Sequence, residues 1–215
     1  MQVCVFDVNE TLLDMAALDP FFERTFGDAA VRREWFAQML GLALTATITG
    51  EYRPFGEHGV AALEMLGARR GVPVDGTQLR EGMTSLPAHA DVRPALERLR
   101  GAGVRMATLT NSTLEVAEAQ LAFAGIRDLF EASLSADSAQ LLKPAPEPYR
   151  HAAEQLGVPV GEVLLVAAHA WDVAGAMAAG AQGAFVARPG MVLDPRGREP
   201  DFVVADLGEL ADRLS

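Results

Sequence analysis

The chain has 215 residues, half of them hydrophobic, with 29 acidic side chains against 18 basic ones, a formal charge of −11 and an isoelectric point near 4.8. That length accommodates one domain with a substantial core, or a core with a smaller insert. So acidic a balance argues against nucleic acid as a partner, because a phosphate backbone demands basic surface, and an anionic small-molecule substrate must be drawn in by local positive groups instead of the whole protein's field.

In chain order, residues 2–6 form a short apolar strand, and Asp7 stands at its carboxyl end, where open α/β sheets bind ligands. A turn aspartate capping its own backbone is the alternative. The single cysteine, Cys4, falls inside this strand; it cannot form an internal disulfide, reads as ordinary core, and fits a reduced cytoplasmic setting. No basic region precedes an apolar stretch at the amino terminus, so no signal peptide is expected. No uncharged apolar run reaches the roughly 20 residues of a membrane span.

Thr11 either orients Asp7 or caps the following turn, and Asp14 and Asp19 read as a turn residue and a cap residue. From residue 15 to 86 the pattern is helical: Phe21, Phe22 and Phe26 recur at helical spacing, and residues 31–47, 55–70 and 76–86 give amphipathic stretches separated by Gly and Pro. After Asp91 helix and strand alternate. Helices are expected at 91–100, 114–123, 144–156, 171–180 and 207–214, and strands at 104–109, around 134, and at 163–166, 183–186 and 202–204. Such alternation implies an α/β fold with a mainly parallel sheet. Three further strand ends or turns carry polar groups, at Thr110-Asn111-Ser112, at Lys143-Pro144 and at His169-Ala170-Trp171-Asp172.

Together these segments resemble the haloacid dehalogenase-like hydrolase superfamily, whose motifs are an Asp nucleophile, a Ser/Thr, a Lys and a terminal acid. Here they fall on Asp7, Thr110, Lys143 and Asp172. Thr110-Asn111, Lys143-Pro144 with the following Tyr149, and Ala170-Trp171-Asp172 are most similar to the L-2-haloacid dehalogenase branch. The resemblance spans nearly the whole chain. It implies a Rossmann-like core of residues 1–14 and 88–215 and an inserted helical cap of residues 15–87.

Chemistry at two positions favours that branch. Phosphatases of the superfamily carry a second acid two residues after the nucleophile, which protonates a departing alkoxide; here that residue is Asn9, an amide that is no proton donor near neutral pH. A halide leaves without a proton. The position matching their usual fourth-motif Mg²⁺ ligand is Ala168, which leaves Asp7 and Asp172 as carboxylates. The implied reaction is hydrolysis of a small 2-haloacid through a covalent ester on Asp7, with no cofactor. A Mg²⁺-dependent phosphatase on a small phosphoester is the rival, and a catalytically idle protein acting through protein contacts is a third reading.

The resemblance further implies that Thr110 and backbone N–H groups near Val8, Asn9 and Asn111 hold the substrate carboxylate, while Lys143 balances Asp7 and Asp172. The Asn111 amide would serve the halide. A cap arginine reaches the reaction centre in this branch; counting back from Tyr52 places it at Arg33, with Arg32 the competitor, and Tyr52 would line the halide pocket. Glu10 stands where the branch commonly has glycine and receives no role. Ala167 and His169 replace a serine and an asparagine. A neutral His169 is a candidate base for the water that cleaves the ester, with Asp172 its competitor. His58, His89 and His151 read as structural or solvated. A homodimer is left open.

Overall fold

The computed structural model describes residues 3–215, so the expected first strand residue, Gln2, lies outside the described residues. Strand β1 (Val3–Phe6) is followed by β2 (Arg105–Thr110), β3 (Ala132–Ser135), β4 (Val163–Ala167), β5 (Gln182–Val186) and β6 (Phe202–Val204). All pair in parallel, in the order β3-β2-β1-β4-β5-β6. The order reverses at β1, between β2 and β4, and Asp7 emerges there. That reversal is where a doubly wound sheet opens a ligand crevice.

Between β1 and β2 the chain forms α1 (Asp19–Phe26), α2 (Val31–Thr49), α3 (Phe55–Arg70), α4 (Gly76–Thr84) and α5 (Val92–Gly101); later come α6 (Leu114–Phe123), α7 (Pro146–Gln155), α8 (Ala170–Ala179) and α9 (Leu207–Leu214). The period-two alternation of β1 sorts them. Cys4 and Phe6 pack into a cluster with α5, α6 and α9, whereas Val3 and Val5 pack against α7 and α8. A parallel sheet is stable only when covered on both faces in this way. Burial pushes the Cys4 thiol up to about 12, consistent with a packing role.

The first cluster continues into α1–α3 through Phe22, Trp35, Met39 and Leu63. The two segments that lead into and out of α1–α4 lie antiparallel: Leu13 bridges Ala88, the Asp14 N–H donates to Pro87 C=O at 2.8 Å, and the His89 N–H donates to Leu12 C=O at 3.0 Å. Helix α7 starts at Pro146, two residues later than the sequence suggests, with Pro at its first turn. Pro144 and Ala145 form a turn instead, and that turn sets Lys143 under the sheet end. Among the described residues no helix is long and apolar enough to cross a membrane.

Candidate active site

Asp7 leaves β1 with its N–H donating to Val166 C=O at 3.0 Å, which fixes the backbone, and its carboxylate is held at both oxygens. Thr11 Oγ1 donates to Oδ2 at 2.7 Å and itself accepts the Ala168 N–H at 2.9 Å; Lys143 Nζ donates to Oδ1 at 2.8 Å. Thr11 is thus an orienting group tied to the end of β4. Arg188 clamps the same loop from below, donating from Nε and Nη2 to Thr11 C=O at 3.1 and 2.9 Å.

Lys143 Nζ also donates to Leu109 C=O at 2.9 Å and to Asp172 Oδ2 at 2.6 Å, using all three of its donors. Tyr149 donates to the other Asp172 oxygen at 2.6 Å. Such close packing requires Gly175 on α8, since a Cβ there would stand 2.5 Å from Pro144 and 2.7 Å from the Tyr149 hydroxyl. Burial drives the Asp172 carboxyl above its ordinary range, with Lys143 opposing. Burial acts likewise on Asp7, but Lys143 and His169 outweigh it and hold that carboxyl well below the usual carboxylate range.

The charge pattern extends beyond this triad. His169 Nδ1 lies 3.4 Å from Asp7 Oδ2, an ion-pair contact without hydrogen-bond alignment, and Nε2 lies 2.9 Å from Glu10 Oε2. Glu10 Oε1 in turn accepts from Arg32 Nη1 at 3.2 Å. Anion and cation alternate from Asp172 through Lys143, Asp7, His169 and Glu10 to Arg32 on α2. Burial opposes a charged His169 ring, yet Asp7 and Glu10 together push its pKa up to about 9. The ring stacks on Phe36, 5.5 Å between centroids, and on Trp171, 5.2 Å, faces that suit an imidazolium.

Asp7, Asn9, Thr110, Asn111, Lys143 and His169 line one tight cleft, closed by Phe36, Phe55 and Trp171. Among the described residues no acceptor takes the backbone N–H of Val8, Asn9 or Asn111. The Asn9 amide donates to Ser112 Oγ at 3.4 Å and accepts from Gln120 at 3.0 Å. Asn111 is partly committed: its oxygen accepts the Lys143 N–H at 2.8 Å and its Nδ2 donates to Lys143 C=O at 3.3 Å, leaving one amide hydrogen. The Trp171 indole N–H is buried with no partner. Thr110 Oγ1 accepts the Ser112 N–H at 3.2 Å.

The family model for haloacid dehalogenase-like hydrolases matches residues 1–180. This chain belongs to that family. Among curated relatives it is 28% identical to (S)-2-haloacid dehalogenase H-109 of Pseudomonas putida, over 98% of this chain and 96% of that one. It is 30% identical to haloacetate dehalogenase H-2 of Moraxella sp. (strain B), over 95% and 93%. A solved L-2-haloacid dehalogenase of Xanthobacter autotrophicus, with chloropropionic acid covalently bound, superposes with a TM-score of 0.90 over 99% of this chain and 97% of that one, at 27% identity. The chain groups with this L-2-haloacid dehalogenase branch of the hydrolases.

The structure places two of the expected site residues, Arg33 and Tyr52, away from this cleft. Arg33 does not line the cleft; its guanidinium lies 3.9 Å from where a Cβ on Gly190 would stand. Tyr52 is also elsewhere, donating to Asp137 and lining a small recess with Leu141 and Leu142. Two carboxylates face His169 and push its pKa up to about 9, which favours the imidazolium over the neutral ring expected. Both Asp172 oxygens are hydrogen-bonded, one to Lys143 and one to Tyr149, so that carboxylate positions Lys143.

Sequence reasoning missed Phe36 and Phe55 of the cleft, ranked Arg32 behind Arg33, and gave Glu10 and the Trp171 side chain no role. For Glu10 a signal existed. Its φ of 64° is left-handed, a conformation that favours the glycine common in this branch, and a side chain that accepts that strain is one to inspect for a role. His89 supports it by contacting the Glu10 carbonyl at 3.2 Å, while His58 is buried in α3 and His151 is a surface group near Glu154.

A Mg²⁺ ion does not fit these residues. Lys143 and Thr11 take both Asp7 oxygens, Asn9 and Ala168 supply no carboxylate, and among the described residues no group of three or more His, Cys, Asp or Glu is arranged to hold a metal.

Proposed function

We propose that this protein is a hydrolytic dehalogenase of 2-haloacids, built from a core of residues 1–14 and 88–215 and a helical cap of residues 15–87, and needing no cofactor. The observation that carries the reading is the Asp7 carboxylate. It is ionised, desolvated and fixed at both oxygens, and the residue two after it is Asn9, not a carboxylic acid.

The substrate carboxylate would take the free N–H groups of Val8, Asn9 and Asn111 and the Thr110 hydroxyl, which brings C2 in line with Asp7. Asp7 attacks C2, the carbon–halogen bond breaks, and the halide leaves with the bonding pair. No arginine lines this cleft. His169 as imidazolium, the remaining Asn111 amide hydrogen and the indole N–H of Trp171 are the donors at hand for the halide. Ester formation then removes the Asp7 charge, the nearer counterion of Nδ1. The His169 pKa falls, Nδ1 gives up its proton to solvent, and the neutral ring takes a proton from the water that attacks the ester carbonyl. The tetrahedral adduct collapses by breaking the bond between the Asp7 carbonyl carbon and the C2 oxygen; its hydroxyl proton passes to the departing C2 oxygen, leaving 2-hydroxy acid, ionised Asp7 and His169 again as imidazolium. The covalently bound chloropropionic acid of the Xanthobacter relative supports the covalent intermediate.

The test is a paired assay of halide release from 2-bromopropanoate and phosphate release from p-nitrophenyl phosphate, each with and without EDTA. Halide release insensitive to EDTA is expected. Mg²⁺-dependent phosphate release without halide release would overturn the reading in favour of the phosphatase.

A further inference from the structure

A second cavity of about 370 Å³ adjoins the cleft and is far larger than the roughly 10 Å³ left open over Asp7. Trp35 and Met39 of α2, Val60 of α3, Leu79 and Met83 of α4 and Val116 of α6 wall it. Interiors pack with few voids larger than a water molecule, and this volume lies in the range of small-molecule sites. Phe55 is common to both spaces. Ser112, which accepts the Asn9 amide, borders the larger one as well.

The cavity offers little to a polar ligand. The Trp35 indole N–H is already spent on Gly59 C=O at 2.7 Å, and the Met83 carbonyl accepts from Gln120 at 2.7 Å. Glu57 and Arg80 also border it, both exposed, so they mark a mouth and not its interior.

We infer that this cavity receives the substituent on C2 of the substrate, and that the preferred acids carry an alkyl or aryl group larger than methyl. The inference rests on the dehalogenase reading. With the carboxylate and halide anchored at Asp7, the tail passes Phe55 into the apolar space. Each buried methylene contributes about 0.8 kcal/mol, so kcat/KM rises about fourfold per methylene until the space fills.

The experiment compares 2-bromopropanoate, 2-bromohexanoate, 2-bromooctanoate and 2-bromo-2-phenylacetate in the wild type and in Val60→Trp and Val116→Trp, which fill the cavity from two different helices. The wild type should favour the long or aromatic acids over 2-bromopropanoate by at least about tenfold, and either tryptophan should collapse that ratio towards one. Both substitutions are at half-buried positions, and circular dichroism confirms which variants fold. A flat series in the wild type, or a ratio untouched in both folded variants, overturns the inference while halide release from 2-bromopropanoate upholds the dehalogenase reading. No halide from any of the acids overturns both.

Discussion

Glu10 reaches across the nucleophile loop to His169, Oε2 to Nε2 at 2.9 Å, and joins the reaction centre to Arg32 on the second helix of the cap segment. The cation beside Asp7 therefore comes from the loop after β4 and is steadied by a residue with a left-handed backbone.

Replacing His169 by Ala should allow a first burst of about one equivalent of halide, slowed by loss of the cation, and then stall. Intact-protein mass spectrometry should find the acyl group on Asp7. Normal steady-state turnover with no adduct would remove His169 from the chemistry.

Stability should also depend on His169. Its folded pKa, about 9, exceeds the ordinary 6.5, so its stabilisation is fully present below pH 6.5 and is lost as pH rises through 9. The 2.5-unit difference corresponds to on the order of 3 kcal/mol. Urea unfolding of wild type and His169→Gln should show a gap that narrows across this window; a gap independent of pH would contradict the assignment.

Arg32→Ala should lower kcat more than Arg33→Ala. Arg32 donates to both Glu10 and Asp19, and losing a charged hydrogen bond of roughly 1.5 kcal/mol corresponds to about tenfold. Steady-state kinetics of the two variants decide the matter, and a larger loss with Arg33→Ala would restore the arginine assignment made from sequence.

Lys143→Met should inactivate the protein and destabilise it by roughly 3–5 kcal/mol, because Asp7 and Asp172 are left as buried carboxylates without their shared cation. Thermal or denaturant unfolding measures this. A variant within 1 kcal/mol of wild type, by that roughly estimated scale, would mean that the pair is far better solvated than its burial indicates.

Strand ends were the legible part of this site. Apolar runs that stop at Asp7, Thr110 and Asp172 announce where a parallel sheet presents its polar groups, and the alternation after Asp91 announces the sheet itself. The cap contribution was less legible, because counting from Tyr52 crosses the left-handed Gly50 that ends α2, where helical phase is lost. The buried stripe within α2 carries the phase instead. Arg32, Trp35, Phe36 and Met39 follow at spacings of three, one and three, which sets Arg32 and Phe36 on one face and turns Arg33 off it. Glu10 and His169 were harder still, since the two are far apart in sequence and His169 owes its raised pKa to the carboxylates of Asp7 and Glu10 that only the fold brings to it.

The central claim is that Asp7 itself carries the covalent intermediate, and single turnover in ¹⁸O water with enzyme in excess tests it most directly. The first hydroxy acid released should be unlabelled, and ¹⁸O should appear in the Asp7 carboxylate, located by peptide mass spectrometry. Label in that first product, with none in Asp7, would mean that water attacks C2 directly and would contradict the account.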